Sequence, residues 1–183
     1  FMDKVRSGEM PWTELDTLHR MGLEELLNDF GITGISEEAK ADLNLAWHRL
    51  DAWPDSPPGL QRLKSKFILA TMSNGNIALM VDMAKYAGLP WDTILGAELA
   101  HAYKPDAKTY LTGVELLHLK PEQVMMVAAH QGDLLAAAKQ GLRTAFVKRP
   151  LERGINGKVD TTPDPSFDYV CDDFRDLATQ LSV

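Results

Sequence analysis

Residues 66–76 read KFILATMSNGN and combine an apolar run with a polar turn. Residues 66–72 are an apolar run with the length of a buried strand, and the Ser-Asn-Gly-Asn that follows is typical of a turn. From Ile77 to Gly88 the apolar residues have helical spacing, and Gly88 is a typical helix stop. The stretch therefore predicts a buried strand, a turn and a helix in succession.

The same alternation continues to the end of the chain. The predicted strands are residues 93–95, 123–129, 143–147 and 168–170, and the predicted helices are residues 108–118, 134–140 and 174–181. Strands that are apolar throughout are buried on both faces, which is typical of parallel sheets covered by helices. The sequence therefore predicts an α/β fold built on a doubly wound parallel sheet.

The first part of the chain has a purely helical pattern. Apolar residues recur at three- and four-residue steps between Trp12 and Phe30, and Ser36 is a candidate N-cap for a second helix that runs to Leu50. The Pro-rich segment 53–59 breaks this pattern, because proline cannot continue a helix. We therefore expect a small α-helical cap domain over residues 1–58 and an α/β core domain over residues 59–183.

Composition argues against several classes of protein. The 183 residues contain 19 Lys and Arg against 26 Asp and Glu, so the net charge of −7 opposes binding to nucleic acid. The longest apolar run, residues 124–129, is far shorter than the roughly 20 residues that span a bilayer, so we expect no membrane partner. Cys171 is the only cysteine, which fits a reducing compartment, and we expect a cytoplasmic protein.

Polar residues follow three of the predicted strands or their loops. In doubly wound sheets, ligands bind outside the carboxyl ends of the strands. This rule selects residues 73–76 (SNGN), residues 104–106 (KPD) and residues 130–133 (HQGD). The three stretches are therefore the candidate functional site.

Each candidate residue has both a functional and an ordinary structural interpretation. Ser73 and Asn74 could donate hydrogen bonds to an anion, or they could form a plain capping turn. Lys104 could pair with a carboxylate, or it could be a solvated surface lysine. Asp133 could order a catalytic group or cap a helix, and His130 could be an acid–base group or only a hydrogen-bonded histidine.

The order and spacing of these stretches resemble the haloacid dehalogenase superfamily. Its second, third and fourth motifs are similar to residues 73–75 (SNG), 103–106 (YKPD) and 127–133 (VAAHQGD). Supporting similarity comes from residues 47–55 (WHRLDAWPD), 95–98 (LGAE) and 141–150 (GLRTAFVKRP). The similarity covers nearly the whole chain and is greatest to the type II branch, the (S)-2-haloacid dehalogenases.

The resemblance implies a Rossmann-like core with a helical cap, and a hydrolase that acts on a small anionic substrate, a short 2-haloalkanoic acid. In this branch an aspartate displaces the halide and forms an ester, which water then hydrolyses. The branch uses no metal and no other cofactor. Dimers are common in the family, so by analogy a homodimer is also an expectation.

The resemblance also implies roles for five residues. Ser73 would bind the substrate carboxylate, and Asn74 would help to hold the halide. Tyr110 matches an active-site tyrosine of the family that contacts substrate. Lys104 would pair with the nucleophile and keep it ionised, while Asp133 would orient Lys104 and assist ester hydrolysis.

The nucleophile itself is the main departure from the family pattern. In the family it is an aspartate at the end of the first core strand, and nothing before Lys66 has the pattern of that strand. Asp3 and Asp16 lie in helical context. We therefore expect the nucleophile and the first core strand to lie outside this chain, and the 183 residues alone to be inactive.

The fourth motif also departs from the family pattern. His130 occupies a position that is usually asparagine in the dehalogenases, and Ala128 and Gly132 replace larger or more polar residues of some members. A phosphatase of the same superfamily is an alternative, but Ala129 stands where phosphatases have an aspartate that helps to hold Mg²⁺. A catalytically inactive fragment with a binding role is the other alternative.

Overall fold

A computed structural model describes all 183 residues and contains nine α-helices and one three-stranded sheet. The α-helices are α1 (Met2–Arg6), α2 (Leu15–Asp29), α3 (Glu37–Asn44), α4 (Ser56–Lys64), α5 (Ile77–Ala87), α6 (Ala97–Ala100), α7 (Ala107–Leu116), α8 (Gln131–Ala138) and α9 (Phe174–Gln180). The strands are β1 (Met125–Ala128), β2 (Arg143–Val147) and β3 (Tyr169–Cys171). Short 3₁₀ helices cover Leu45–Arg49 and Pro121–Gln123.

The sheet is parallel throughout and has the order β1-β2-β3. In β2, Ala145 and Val147 face one apolar cluster, while Phe146 faces a second cluster on the opposite side. The first cluster includes residues of α4 and α9, and the second includes residues of α7 and α8. Both faces of the sheet are therefore covered by helices, which confirms the predicted α/β fold class.

Two predicted strands do not join this sheet, and their prediction is corrected. Residues 66–73 and 93–96 form isolated parallel bridges in place of a regular ladder, and these bridges pair Ala70 with Thr93 and Ser73 with Gly96. Side chains replace part of the expected ladder. The hydroxyl of Thr71 donates to the Leu95 carbonyl at 2.8 Å and accepts the Leu95 N–H at 3.1 Å. The segments run side by side without forming a regular pair of strands.

A largely apolar cleft of about 770 Å³ separates segment 67–73 from β1. Side chains from both walls line it, including Ile68 and Met72 on one wall and Met126 and Val127 on the other. Because β1 pairs only with β2, its second edge faces this cleft. An unpaired strand edge offers backbone N–H and C=O groups to a further strand. The cleft therefore lies between two backbone segments, each of which could pair with a further strand.

The other predicted core elements are present, with ends that differ by a few residues. The strand predicted at 143–147 is β2 without change, and Gly88 ends α5 with a left-handed φ of 66°. The helix predicted from residue 134 begins earlier, at Gln131. In the cap, the helix predicted to reach Leu50 ends at Asn44 and continues as a 3₁₀ helix.

The Pro-rich segment begins a helix, where the sequence predicted only a break. Pro57 and Pro58 lie in the first turn of α4, where a missing N–H has no helical partner to lose. Gly59 allows close packing there, because a Cβ at this position would lie 2.5 Å from the Cβ of Phe174 in α9. The expected domain boundary between residues 58 and 59 thus falls within a helix that packs on the core.

No helix combines the length and the apolar character needed to cross a lipid bilayer.

Candidate active site

Lys104, Tyr110 and Asp133 form a hydrogen-bonded cluster. The ammonium of Lys104 lies 2.5 Å from Oδ2 of Asp133, and the Tyr110 hydroxyl donates to Oδ1 of Asp133 at 2.6 Å. The side chains of Lys104 and Asp133 are only 15% and 18% exposed, and Tyr110 is fully buried. Lys104 is therefore a partly buried, paired cation and not a solvated surface lysine.

The pKa of Tyr110 is raised far above its ordinary value. Burial is the larger cause, and the hydrogen bond to the negatively charged Asp133 adds to it. The phenol therefore stays protonated and serves as a hydrogen-bond donor at any physiological pH. With one oxygen of Asp133 bound by Tyr110 and the other by Lys104, the carboxylate has a fixed orientation.

The fold brings these three residues together from separate elements. Asp133 lies in the first turn of α8, directly after β1, and Tyr110 lies on α7. Lys104 lies in the loop before α7, whose N-cap Asp106 accepts a hydrogen bond from the Lys108 N–H at 2.8 Å. The cluster thus lies at the carboxyl end of the sheet, where the strand rule placed it.

The Ser73–Asn74 turn adjoins the same loop. Oδ1 of Asn74 accepts the backbone N–H of Lys104 at 2.8 Å, so Asn74 fixes the backbone that carries the ammonium. The hydroxyl of Ser73 accepts the Gly75 N–H at 3.0 Å. Helix α5 begins immediately afterwards and directs its N-terminal end toward this turn. Ser73 also lines the apolar cleft.

His130 lies apart from the cluster. Its side chain is 72% exposed, and Nε2 lies 2.6 Å from a carboxylate oxygen of Glu152. Its side chain makes no hydrogen bond to Lys104, Tyr110 or Asp133, although its backbone carbonyl accepts the Asp133 N–H at 3.1 Å. His130 and Glu152 instead line a separate polar cavity of about 610 Å³ that adjoins the start of α8.

Arg6 of α1 is a further residue of this site, and its local sequence pattern does not predict it. Its guanidinium donates to the carbonyl of Lys104 and pairs with Asp3 at 2.6 Å. The backbone of Lys104 is therefore held on both sides, by Asn74 at the N–H and by Arg6 at the carbonyl. A five-residue helix has too few apolar repeats to be recognised, and no local signal pairs Arg6 with a loop 98 residues away.

The cluster can stabilise a negative charge that approaches Lys104. A lysine ammonium next to a carboxylic acid favours the ionised form of that acid. The structure contains no group of three or more His, Cys, Asp or Glu side chains arranged to hold a metal ion. The side chains at this site are therefore suited to bind and ionise acidic groups.

Comparison with known proteins agrees with this geometry. Residues 1–141 match the family model described as haloacid dehalogenase-like hydrolase. The (S)-2-haloacid dehalogenase 4A of Burkholderia cepacia is 34% identical over 137 residues, which are 68% of this chain and 59% of that protein. The match to this curated relative therefore spans less than two thirds of its length.

Two solved structures are similar along the whole chain. The crystal structure of an L-2-haloacid dehalogenase has a TM-score of 0.96 and 46% identity, over 99% of this chain and 77% of that one. A defluorinating L-2-haloacid dehalogenase also has a TM-score of 0.96, with 44% identity over 100% of this chain and 75% of that one. With the family match over three quarters of the sequence, these similarities establish that the chain belongs to the haloacid dehalogenase-like hydrolase family.

Proposed function

We propose that the chain forms most of a hydrolase that removes the halide from short 2-haloalkanoic acids through an aspartyl ester. One observation carries this proposal: a partly buried Lys104 is held by Asp133 and by the Ser73–Asn74 turn, and Ser73 lines the cleft. The relatives named (S)-2-haloacid and L-2-haloacid dehalogenases support the same substrate class.

The nucleophile in this proposal is an aspartate on an additional strand that occupies the cleft. Such a strand would pair with segment 67–73 on one side and with β1 on the other. Both neighbours run parallel to their other partners, so a parallel strand would end near Ser73 and Asp133. We call these 183 residues together with the segment that supplies the strand the strand-complete enzyme.

The proposed reaction has two steps. An oxygen of the ionised aspartate bonds to C2 of the substrate while the carbon–halogen bond breaks, and the halide leaves with the electron pair. Water then adds to the carbonyl carbon of the aspartyl ester, which releases a 2-hydroxy acid, a proton and the original carboxylate. Because the first step attacks from the side opposite the halide, it inverts the configuration at C2.

The residues of the site take different parts in these steps. Lys104 keeps the aspartate ionised and offsets the charge of the arriving substrate anion. Ser73 contacts the substrate carboxylate, Asn74 contacts the halide, and Tyr110 is a further substrate-binding residue. Asp133 fixes Lys104 and assists the hydrolytic step, for which its two hydrogen bonds provide the orientation.

His130 is the second group that we assign to the hydrolytic step. Its contact with Glu152 supports an acid–base role, because a carboxylate partner orients an imidazole. In this assignment the imidazole takes the proton that the attacking water releases.

Three further properties belong to the same proposal. We propose a helical cap within residues 1–58 and a core over residues 59–183, with α4 crossing the boundary and packing on the core. Exposed apolar side chains of the cap, such as Leu26, Phe30 and Leu43, support a homodimer formed through this domain. A cytoplasmic location is consistent with the single, buried thiol of Cys171.

Halide release tests the proposed activity. The strand-complete enzyme should release chloride from (S)-2-chloropropionate and should release no phosphate from phosphomonoesters. The 183 residues alone should release chloride no faster than a buffer blank without protein. Phosphate release that depends on Mg²⁺, without chloride release, would replace this proposal with a phosphatase.

A further inference from the structure

A buried polar network connects the cap to the start of α5. His48 of the cap is 5% exposed, and its two ring nitrogens lie 3.0 Å from Oδ2 of Asp16 and 2.8 Å from Oδ2 of Asp82. Asn76 is also buried, and its amide donates to the same oxygen of Asp16 at 2.8 Å. Asp16 and His48 belong to the cap, whereas Asn76 and Asp82 belong to the core.

Burying these polar and charged groups costs free energy. The network is therefore favourable only in a geometry that provides hydrogen-bond partners. Oδ2 of Asp16 faces both Nε2 of His48 and the Asn76 amide. Asp16 is stabilised by two donors on one oxygen, but its other oxygen is buried without a partner, as is Oδ1 of Asn76. A buried carboxylate that loses its donors is strongly destabilising, so this contact resists separation of the cap from the core.

The side chain of Asn76 does not cap its own helix. It is the N-cap residue of α5, a position where asparagine normally accepts a hydrogen bond from the first turn of its own helix. Here the side chain makes no such bond and reaches Asp16 instead. The Ile77 N–H is bound by the Glu98 carboxylate at 2.5 Å. The cap thus holds the residue that ends the Ser73–Asn74–Gly75 turn.

We infer that Asp16 and His48 are positioning residues, which hold the turn of residues 73–76 in the geometry that binds the substrate carboxylate. This inference rests on the proposed function, because that function assigns the turn to the carboxylate. Neither residue touches the cluster around Lys104, so both act through Asn76. Their removal should loosen the turn and weaken substrate binding without changing the charged groups at the reacting carbon.

The test compares Asp16→Asn and His48→Gln with the parent in the strand-complete enzyme. Amide hydrogen exchange of residues 74–78 should become about tenfold faster, as expected when one hydrogen bond to a charged group is lost. The KM for (S)-2-chloropropionate should rise by a similar factor, about tenfold, while kcat changes little. Glu24→Gln is the matched control, because Glu24 also lies on α2 but contacts only Arg20 and Lys40 of the cap.

Asp82→Ala provides a milder variant if the buried substitutions prevent folding. Asp82 is largely exposed, so its loss removes one contact of His48 without leaving a buried charge unpaired, and it should shift both readouts in the same direction. A lower melting temperature with unchanged exchange of residues 74–78 and unchanged KM would overturn the inference and leave a purely structural role. Hydrogen exchange does not depend on turnover, so it decides the inference even if the parent releases no halide.

Discussion

Asp55 and Arg149 form an ion pair that joins the chain before α4 to the end of β2. Both guanidinium ends of Arg149 contact the carboxylate, at 3.1 and 2.9 Å, and the side chains are only 11% and 12% exposed. The same carboxylate accepts the Phe174 N–H at 2.9 Å, where α9 begins. The Arg149 guanidinium also lies 5.3 Å from the ring centroid of Trp53. We predict that Asp55→Ala destabilises the fold severely.

The structure sets the size of this effect. Removing one partner of a buried ion pair typically costs about 3–5 kcal/mol, because the other charge stays buried and unpaired. The Phe174 N–H also loses its acceptor, which adds about 1 kcal/mol. Since both side chains retain some exposure, we expect the low end of the sum, about 4 kcal/mol. The free energy of unfolding of a domain of this size is roughly 5–15 kcal/mol, so the variant should still fold.

Urea denaturation of the strand-complete enzyme measures this loss. Asp42→Ala is the matched control, because it removes an aspartate from an exposed pair with Arg49 and should change the free energy of unfolding by less than about 0.5 kcal/mol. A loss below about 1 kcal/mol for Asp55→Ala would refute the reasoning, since it would mean that water replaces the carboxylate at Arg149 without penalty.

The contribution of the Asp55–Arg149 pair to folding stability should decrease at low pH. Burial raises the pKa of Asp55, but the hydrogen bonds from Arg149 and from the Phe174 N–H outweigh it and hold the pKa below its usual value. A carboxyl group whose pKa is lowered by folding stabilises the fold at pH values above its pKa in the unfolded state, near 4. This stabilisation is lost as the pH falls through the pKa of the folded state. The stability difference between parent and Asp55→Ala should therefore be constant near neutrality and shrink below about pH 4.

Three further predictions concern the site of the strand-complete enzyme. Lys104→Ala should lower the turnover number for (S)-2-chloropropionate by roughly 10²–10³, the usual value of a positioned electrostatic group, whereas the exposed Lys108→Ala should leave it unchanged. Tyr110→Phe should lower kcat/KM by about tenfold, since Asp133 then loses one of its two donors. An unchanged kcat/KM would mean that Tyr110 has no role in the site. EDTA should leave chloride release unchanged, because Ala129 stands where a metal-binding aspartate would be needed; inhibition reversed by Mg²⁺ would contradict this.

Local patterns predicted much of the fold. The apolar runs at 123–129 and 143–147 became β1 and β2, because continuous apolar segments of that length fit a sheet buried on both faces. The strand rule also placed Lys104 and Asp133 near each other, and the structure has them in contact. These successes depend on properties that each segment carries by itself or on the general geometry of parallel sheets.

The missed features depend on contacts between distant parts of the chain. Residues 66–72 have the pattern of a strand, but the Thr71 hydroxyl bonds to Leu95 in place of regular pairing, and one side of the segment faces the cleft. His48 had no recognisable partner, because Asp16 and Asp82 lie 32 and 34 residues away. Sequence spacing does not predict side-chain pairs of this kind, since they arise only once the cap and the core are packed together.

In the proposed reaction an aspartate on a strand in the cleft forms an ester with the substrate. A single turnover of (S)-2-chloropropionate by the strand-complete enzyme in water labelled with oxygen-18 tests whether this ester forms. Because water adds to the carbonyl of the aspartyl ester, peptide mass spectrometry should find the label in one aspartate of that strand, and the 2-hydroxypropionate should be unlabelled. Label in the 2-hydroxypropionate with none in the protein would contradict the account, since water would then have displaced the chloride itself.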